Sequence, residues 1–121
     1  MGRMAYMLLI IEPPGQRAAR TEAEGHEVYE QMTRFAAGLR ERGLLQGAES
    51  LSWRDGTPAR IEVREGQARL LDGPFAEAKE MVGGYFLLDC DSREQALAIA
   101  RDCPAVRWAT VEVRKLGPCY S

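Results

Sequence analysis

The chain has 121 residues and a mass of 13.5 kDa, which suits one compact domain spanning residues 1–121. Its 45% hydrophobic and 28% charged residues are typical of a soluble globular protein, and its formal charge of −2 excludes the basic surface of a direct nucleic-acid binder. The longest apolar run, Tyr6 to Ile11, is too short to cross a membrane and lacks the form of a signal peptide.

The first half of the chain predicts a strand, a helix and a second strand. Residues 5–11 are apolar and favour a strand, and 44–53 hold a weaker strand pattern. Thr21 followed by Glu24 is a capping-box signal for the start of the helix, and Gly43 is a typical stop. One apolar stripe at helical spacing joins these signals and consists of Val28, Tyr29, Met32, Phe35, Ala36 and Leu39.

The second half predicts a hairpin, a strand, a helix and a last strand. Residues 60–64 alternate strictly, and a turn leads into 68–71, which completes the hairpin. Residues 85–90 form the next strand, and Ser92 begins a helix that a Cys-Pro pair ends. Residues 109–115 alternate again, as expected for a strand with one exposed face.

This order predicts an α+β fold of the ferredoxin-like βαββαβ type with an inserted β-hairpin. Residues 6–11 and 85–88 are apolar at successive positions, so both faces of these two central strands should be buried. Two helices cover only one face of such a sheet. We therefore expect a homodimer that forms through the other sheet face.

The segment Asp72-Gly-Pro-Phe resembles the signature of the DGPF group of YCII-related proteins. The resemblance extends over most of the chain; the matching segments are residues 6–10, 42–44, 72–77, 79–80, 83–85, 103–105 and 111–114. It implies a dimeric α+β barrel, in which two sheets face each other across a pocket. Members of this group are often encoded beside extracytoplasmic-function sigma factors, which implies a regulatory accessory role, but the family's function is largely unassigned.

Some enzymatic relatives in this family carry a His in the first helix and an Asp before the Pro that ends the second, as a proton-transfer pair. This chain departs from that pattern, because the His position falls near Met32 and Cys103 replaces the Asp. Asp102 is adjacent, but one residue along a helix turns a side chain by about 100°. His26 lies about a turn and a half too early, so the pair is not carried over.

Five residues are candidate pocket residues: Asp72, Phe75, Lys79, Tyr85 and His26. Asp72 either caps the turn that follows it or acts as a general base beside Lys79. Phe75 is either a hydrophobic plug or a platform for an aromatic ligand. Lys79 is either an exposed cation or an anchor for an anionic ligand, and Tyr85 is either a core residue or directs its hydroxyl into the pocket. His26 is expected to be solvated, unless a second subunit brings another group to it.

The remaining features favour structural roles. Cys103 at a helix C-terminus is expected to be a buried thiol rather than a nucleophile. Gly83-Gly84 is interpreted as a hinge or a point of close packing. One His and three scattered Cys predict neither a metal site nor a disulfide framework, which favours a cytoplasmic protein without a cofactor.

Two functions are compatible with this sequence. The first is a non-catalytic dimeric module that binds a small molecule or a protein. The second is a cofactor-free enzyme of the isomerase, lyase or dehydrochlorinase type that uses the barrel cavity for proton transfer.

Overall fold

Two helices and six antiparallel strands make up the described parts of the chain, residues 3–53, 58–72 and 78–120 of a computed structural model. The strands are β1 Met4–Glu12, β2 Leu45–Ser50, β3 Ala59–Arg64, β4 Gln67–Asp72, β5 Met81–Cys90 and β6 Thr110–Lys115. The helices are α1 Glu22–Glu41 and α2 Arg93–Asp102, and a short 3-10 helix follows at Pro104–Arg107. Neither helix in these ranges is long and apolar enough to cross a membrane.

Four of the strands form one antiparallel sheet in the order β2-β5-β1-β6. This order is compatible with the predicted ferredoxin-like arrangement, and it confirms that the two most apolar strands, β1 and β5, lie in the centre. Leu8, for example, lies opposite Phe86 on one side and Val113 on the other. Both helices therefore connect strands that are not neighbours in the sheet.

The two faces of this sheet differ in burial. Tyr6, Leu8 and Ile10 of β1 lie on the face that packs against the helices, and they are at most 5% exposed. Met7 and Leu9 point to the opposite face and are half-buried. The prediction that the helices cover one face is confirmed. The second, apolar face is only partly covered within a single chain.

Local signals fix where the helices begin and end. The Thr21 hydroxyl accepts a hydrogen bond from the Glu24 backbone N–H (3.1 Å), and the Glu24 carboxylate accepts one from the Thr21 N–H (2.8 Å). This second bond lowers the pKa of Glu24. Gly43 follows α1 with φ = 70°, a conformation that glycine adopts without steric cost. The predicted capping box and helix stop are both confirmed.

The hairpin of β3 and β4 forms a separate two-stranded sheet. Ile61 and Leu70 lie opposite each other, and both side chains are largely exposed, at 74% and 63%. The alternating pattern predicted the strands correctly. Their apolar face does not enter the core of this chain.

Strand β5 begins at Met81, four residues before the predicted start, so Gly83-Gly84 lies inside a strand. The hinge interpretation is therefore wrong, and close packing is the physical reason for the glycines. A Cβ atom at Gly84 would lie 2.8 Å from the backbone carbonyl oxygen of Glu49 on β2. A backbone atom in a sheet cannot move away as a flexible side chain would.

We predict that Gly84→Ala lowers the free energy of unfolding by about 1–3 kcal/mol, because the added methyl group overpacks the contact between β2 and β5. Gly38→Ala is the matched control, since a Cβ at this helical position meets nothing within 4 Å. We expect the control to stabilise the protein by about 0.5–1 kcal/mol. Denaturant melts measure both effects, and equal stability of Gly84→Ala and the parent would contradict the close-packing explanation.

Candidate functional site

A cavity of about 460 Å³ lies between α1 and the helix-facing side of the sheet. Its lining on the helix includes Val28, Met32 and Ala36, and its lining on the strands includes Ile10 and Phe86. Most of these side chains are apolar, so the walls favour a ligand with an apolar body.

The cavity exists because the apolar stripe of α1 packs fully only at its C-terminal end. Leu39 is 3% exposed, whereas Tyr29, ten residues earlier, is 65% exposed. Between them, Phe35 contacts Phe86 edge to face, with ring centres 5.3 Å apart. The remaining space is bordered by small residues on both sides, namely Gly25, Ala36, Ala37, Ala48, Gly83 and Gly84.

A buried ion pair forms one end of the cavity. Glu12 is 4% exposed, and its Oε1 lies 2.6 Å from Nε of Arg17. The same guanidinium donates to the carbonyl oxygens of Leu51 (2.5 Å) and Gly83 (2.8 Å). A Cβ at residue 83 would overlap the Glu12 carboxylate and Nη2 of Arg17, so a larger residue there would require the ion pair to shift. The pair therefore ties the end of β1 to β5 and to the segment that follows β2.

A second arginine lines the cavity beside an aromatic ring. Cζ of Arg20 lies 5.9 Å from the centre of the Trp108 ring, within the range of a cation–π contact. Gln16 holds this arrangement, because its Nε2 donates to the Trp108 carbonyl oxygen (2.7 Å) and its Oε1 accepts from Arg20 Nη2 (3.2 Å). Arg20 and Trp108 are both half-buried.

The structure separates the predicted site residues. Tyr85 borders the cavity, although alternation along β5 places its side chain on the sheet face opposite that of Phe86. The side chain of His26 is 80% exposed and 3.9 Å from Glu22, and it does not line the cavity. Lys79 is exposed and is also absent from the lining.

The other two candidate pocket residues are Asp72 and Phe75. Asp72 ends β4, but its side chain lies outside the described part of the structure. Phe75, with the rest of residues 73–77, also lies outside the described residues. The two interpretations of each residue therefore stay predictions.

Sequence reasoning missed several residues that give the cavity polar groups, among them Glu12, Arg17, Arg20 and Trp108. A signal for Glu12 was present, because it continues the alternation of the buried residues Tyr6, Leu8 and Ile10. A carboxylate in a core position needs a partner. No comparable pattern identified Arg17, Arg20 or Trp108, which lie in a turn and after a 3-10 helix.

Near the expected positions of the proton-transfer pair, this chain has Met32 and Cys103 rather than a His and an Asp. Met32 lines the cavity and presents a thioether, which neither donates nor accepts a proton at neutral pH. Cys103 is fully buried at the end of α2, and burial raises the pKa of its thiol. The expectation of a buried thiol is confirmed.

Comparison with known proteins agrees with this architecture. The model of the YCII-related domain matches residues 4–119. The chain belongs to the YCII-related family. This YCII-related chain is also 31% identical over 118 residues to an uncharacterised protein of Rhizobium meliloti (strain 1021), with 94% of this chain and 93% of that protein covered. Neither comparison assigns a reaction or a ligand.

We predict that Glu12→Gln lowers the free energy of unfolding by about 1–3 kcal/mol, because it leaves the Arg17 guanidinium without its anionic partner. Arg17 is 31% exposed, and solvent keeps the cost below that of a fully buried pair. Glu62→Gln is the control: Glu62 pairs with Arg64 at 3.0 Å on the exposed hairpin. We expect a change within about 0.5 kcal/mol there. Equal free energies of unfolding for Glu12→Gln and Glu62→Gln would contradict a structural role of the Glu12–Arg17 pair.

Proposed function

We propose that this YCII-related protein is a dimeric accessory module that binds a small molecule in the cavity between α1 and the sheet. The cavity is the observation that carries this proposal. Its volume of about 460 Å³ lies within the range of about 300–1,000 Å³ typical of small-molecule sites. Apolar walls combined with a few polar groups at one end are also typical of such sites.

Binding is favoured over catalysis by the chemistry of the side chains. The His of enzymatic relatives is expected near Met32, which lines the cavity, and the buried thiol of Cys103 stands where those relatives have the Asp. Glu12 is engaged by Arg17, so it is not a free base facing a substrate. A cofactor-free enzyme of the isomerase, lyase or dehydrochlorinase type would need a proton-transfer group from elsewhere.

The dimer in this proposal forms through the sheet face opposite the helices, as in the dimeric α+β barrels of DGPF-type relatives. Met7 and Leu9 on β1 and Leu87 on β5 are apolar and only half-buried in one chain. A second copy would remove these side chains from water. A cytoplasmic regulatory role beside an extracytoplasmic-function sigma factor rests on the family resemblance alone.

We predict that the uncharged fluorescent probe N-phenyl-1-naphthylamine binds the protein saturably and that Ala36→Phe abolishes this binding. Ala36 borders the cavity, and a phenyl ring there would fill the space. Ala23→Phe is the matched control, because Ala23 is exposed on the same helix and does not line the cavity. Fluorescence titration measures binding, and unchanged titration of Ala36→Phe would overturn the cavity as the binding site.

We predict that sedimentation velocity at micromolar concentration shows a dimer, and that Leu9→Glu produces a monomer with an unchanged circular dichroism spectrum. The added charge would have to be buried in the proposed interface. Val106→Glu is the control, because Val106 is exposed on the 3-10 helix and lies outside the sheet. A stable monomer of the parent protein would refute the dimer and leave the probe-binding prediction intact.

A further inference from the structure

We infer that the ligand of this cavity is an amphipathic monocarboxylate whose carboxylate binds Arg20 beside Trp108. This inference rests on the proposed small-molecule-binding function and adds the chemical class of the ligand.

The Arg17 guanidinium and the Glu12 carboxylate form an ion pair with each other. Their 2.6 Å contact neutralises both charges, and Arg17 also donates to two backbone carbonyl oxygens. A cationic ligand would have to compete with Arg17 for the buried Glu12 carboxylate. The end of the cavity formed by Glu12 and Arg17 is therefore an unfavourable place for the ammonium group of a ligand.

Arg20 remains available to an anion. Among the described residues, no carboxylate lies within 4.0 Å of its guanidinium, and its Nη2 donates a hydrogen bond to Oε1 of Gln16. A guanidinium carries five N–H donors in a planar fork that matches a carboxylate. Gln16 and the Trp108 ring hold Arg20 in place, so little side-chain entropy is lost on binding.

The charge count favours a single negative charge. Three arginines (Arg17, Arg20 and Arg40) and two glutamates (Glu12 and Glu49) are among the described residues that line the cavity, which leaves one cation in excess. Of the two arginines outside the Glu12 pair, Arg40 is exposed, whereas Arg20 is half-buried against Trp108. A monoanion balances this excess, whereas a doubly charged phosphate ester would leave a negative charge in a mostly apolar space. The apolar walls at Val28, Met32 and Phe86 suit a hydrocarbon body.

Calorimetric titration of the intact protein with octanoate, octanamide and octylammonium tests this inference. Octanoate and octanamide differ in charge at nearly constant shape. We expect octanoate to bind about tenfold more tightly than octanamide, the loss expected for one charge-assisted hydrogen-bonded contact. We expect octylammonium to bind more weakly than either.

Arg20→Gln should remove the preference for octanoate, whereas Arg107→Gln should retain it. Arg107 is a matched control, because it also lies over the Trp108 ring, at 5.8 Å, but does not line the cavity. Thermal melts establish that both variants are folded.

Three results would overturn the inference. Equal affinity of the parent protein for octanoate and octanamide would refute the carboxylate class, as would an octanoate preference that survives Arg20→Gln. After either of these two results, loss of octanamide binding in Ala36→Phe would still support the cavity as a small-molecule site. The ligand would then not be defined by a carboxylate. If no probe bound at all, both the function and the ligand class would fall.

Discussion

The candidate site depends on the ion pair between Glu12 and Arg17. A carboxylate at 4% exposure is costly to bury, and the 2.6 Å contact with Arg17 offsets much of that cost. Because Arg17 also binds the carbonyl oxygens of Leu51 and Gly83, one side chain joins β1, β5 and the segment after β2. Arg20 lies three residues further along the same turn, so the pair also helps to position the proposed ligand contact.

The cavity is present because α1 buries only part of its apolar stripe against the sheet. A helix with one apolar stripe normally buries that stripe against a sheet. Here Leu39 is buried, but Met32 and Val28 line the cavity, because Gly83, Gly84 and nearby alanines are too small to fill it. Gly84 also lets β2 and β5 approach closely. This one residue therefore contributes both to the strand pairing and to the space for a ligand.

In the proposed function, one face of the sheet borders the ligand cavity and the other face forms the subunit interface. The face under the helices carries the core and the cavity, with Tyr6, Leu8 and Ile10 in alternation. The opposite face, with Met7 and Leu9, is the proposed subunit interface. Since neighbouring residues on a strand point to opposite faces, a ligand in the cavity and a second subunit would contact the same strands without competing for the same side chains.

The helices and strands could be predicted from the sequence, because capping signals and hydrophobic periodicity are short-range patterns. The strand order was inferred from the ferredoxin-like order of these elements, with which the four-stranded sheet is compatible. The alternation of β6, the capping box at Thr21 and the continuous apolar run of β1 each involve neighbouring residues. Counting along α1 put the His position of enzymatic relatives near Met32, which lines the cavity. Of the candidate pocket residues, Tyr85 borders the cavity, and His26 is exposed, as expected for a solvated side chain.

The composition of the cavity could not be predicted from the sequence, because its polar residues meet through contacts between distant segments. Gln16 reaches the Trp108 carbonyl across 92 residues of sequence, and Arg17 reaches Gly83 across 66. No local pattern encodes such contacts, because they arise when β1 and β5 pair and the turn before α1 folds over their ends. The role of Gly83-Gly84 was ambiguous for the same reason: whether a glycine bends a chain or admits a neighbour depends on which atoms lie beside it.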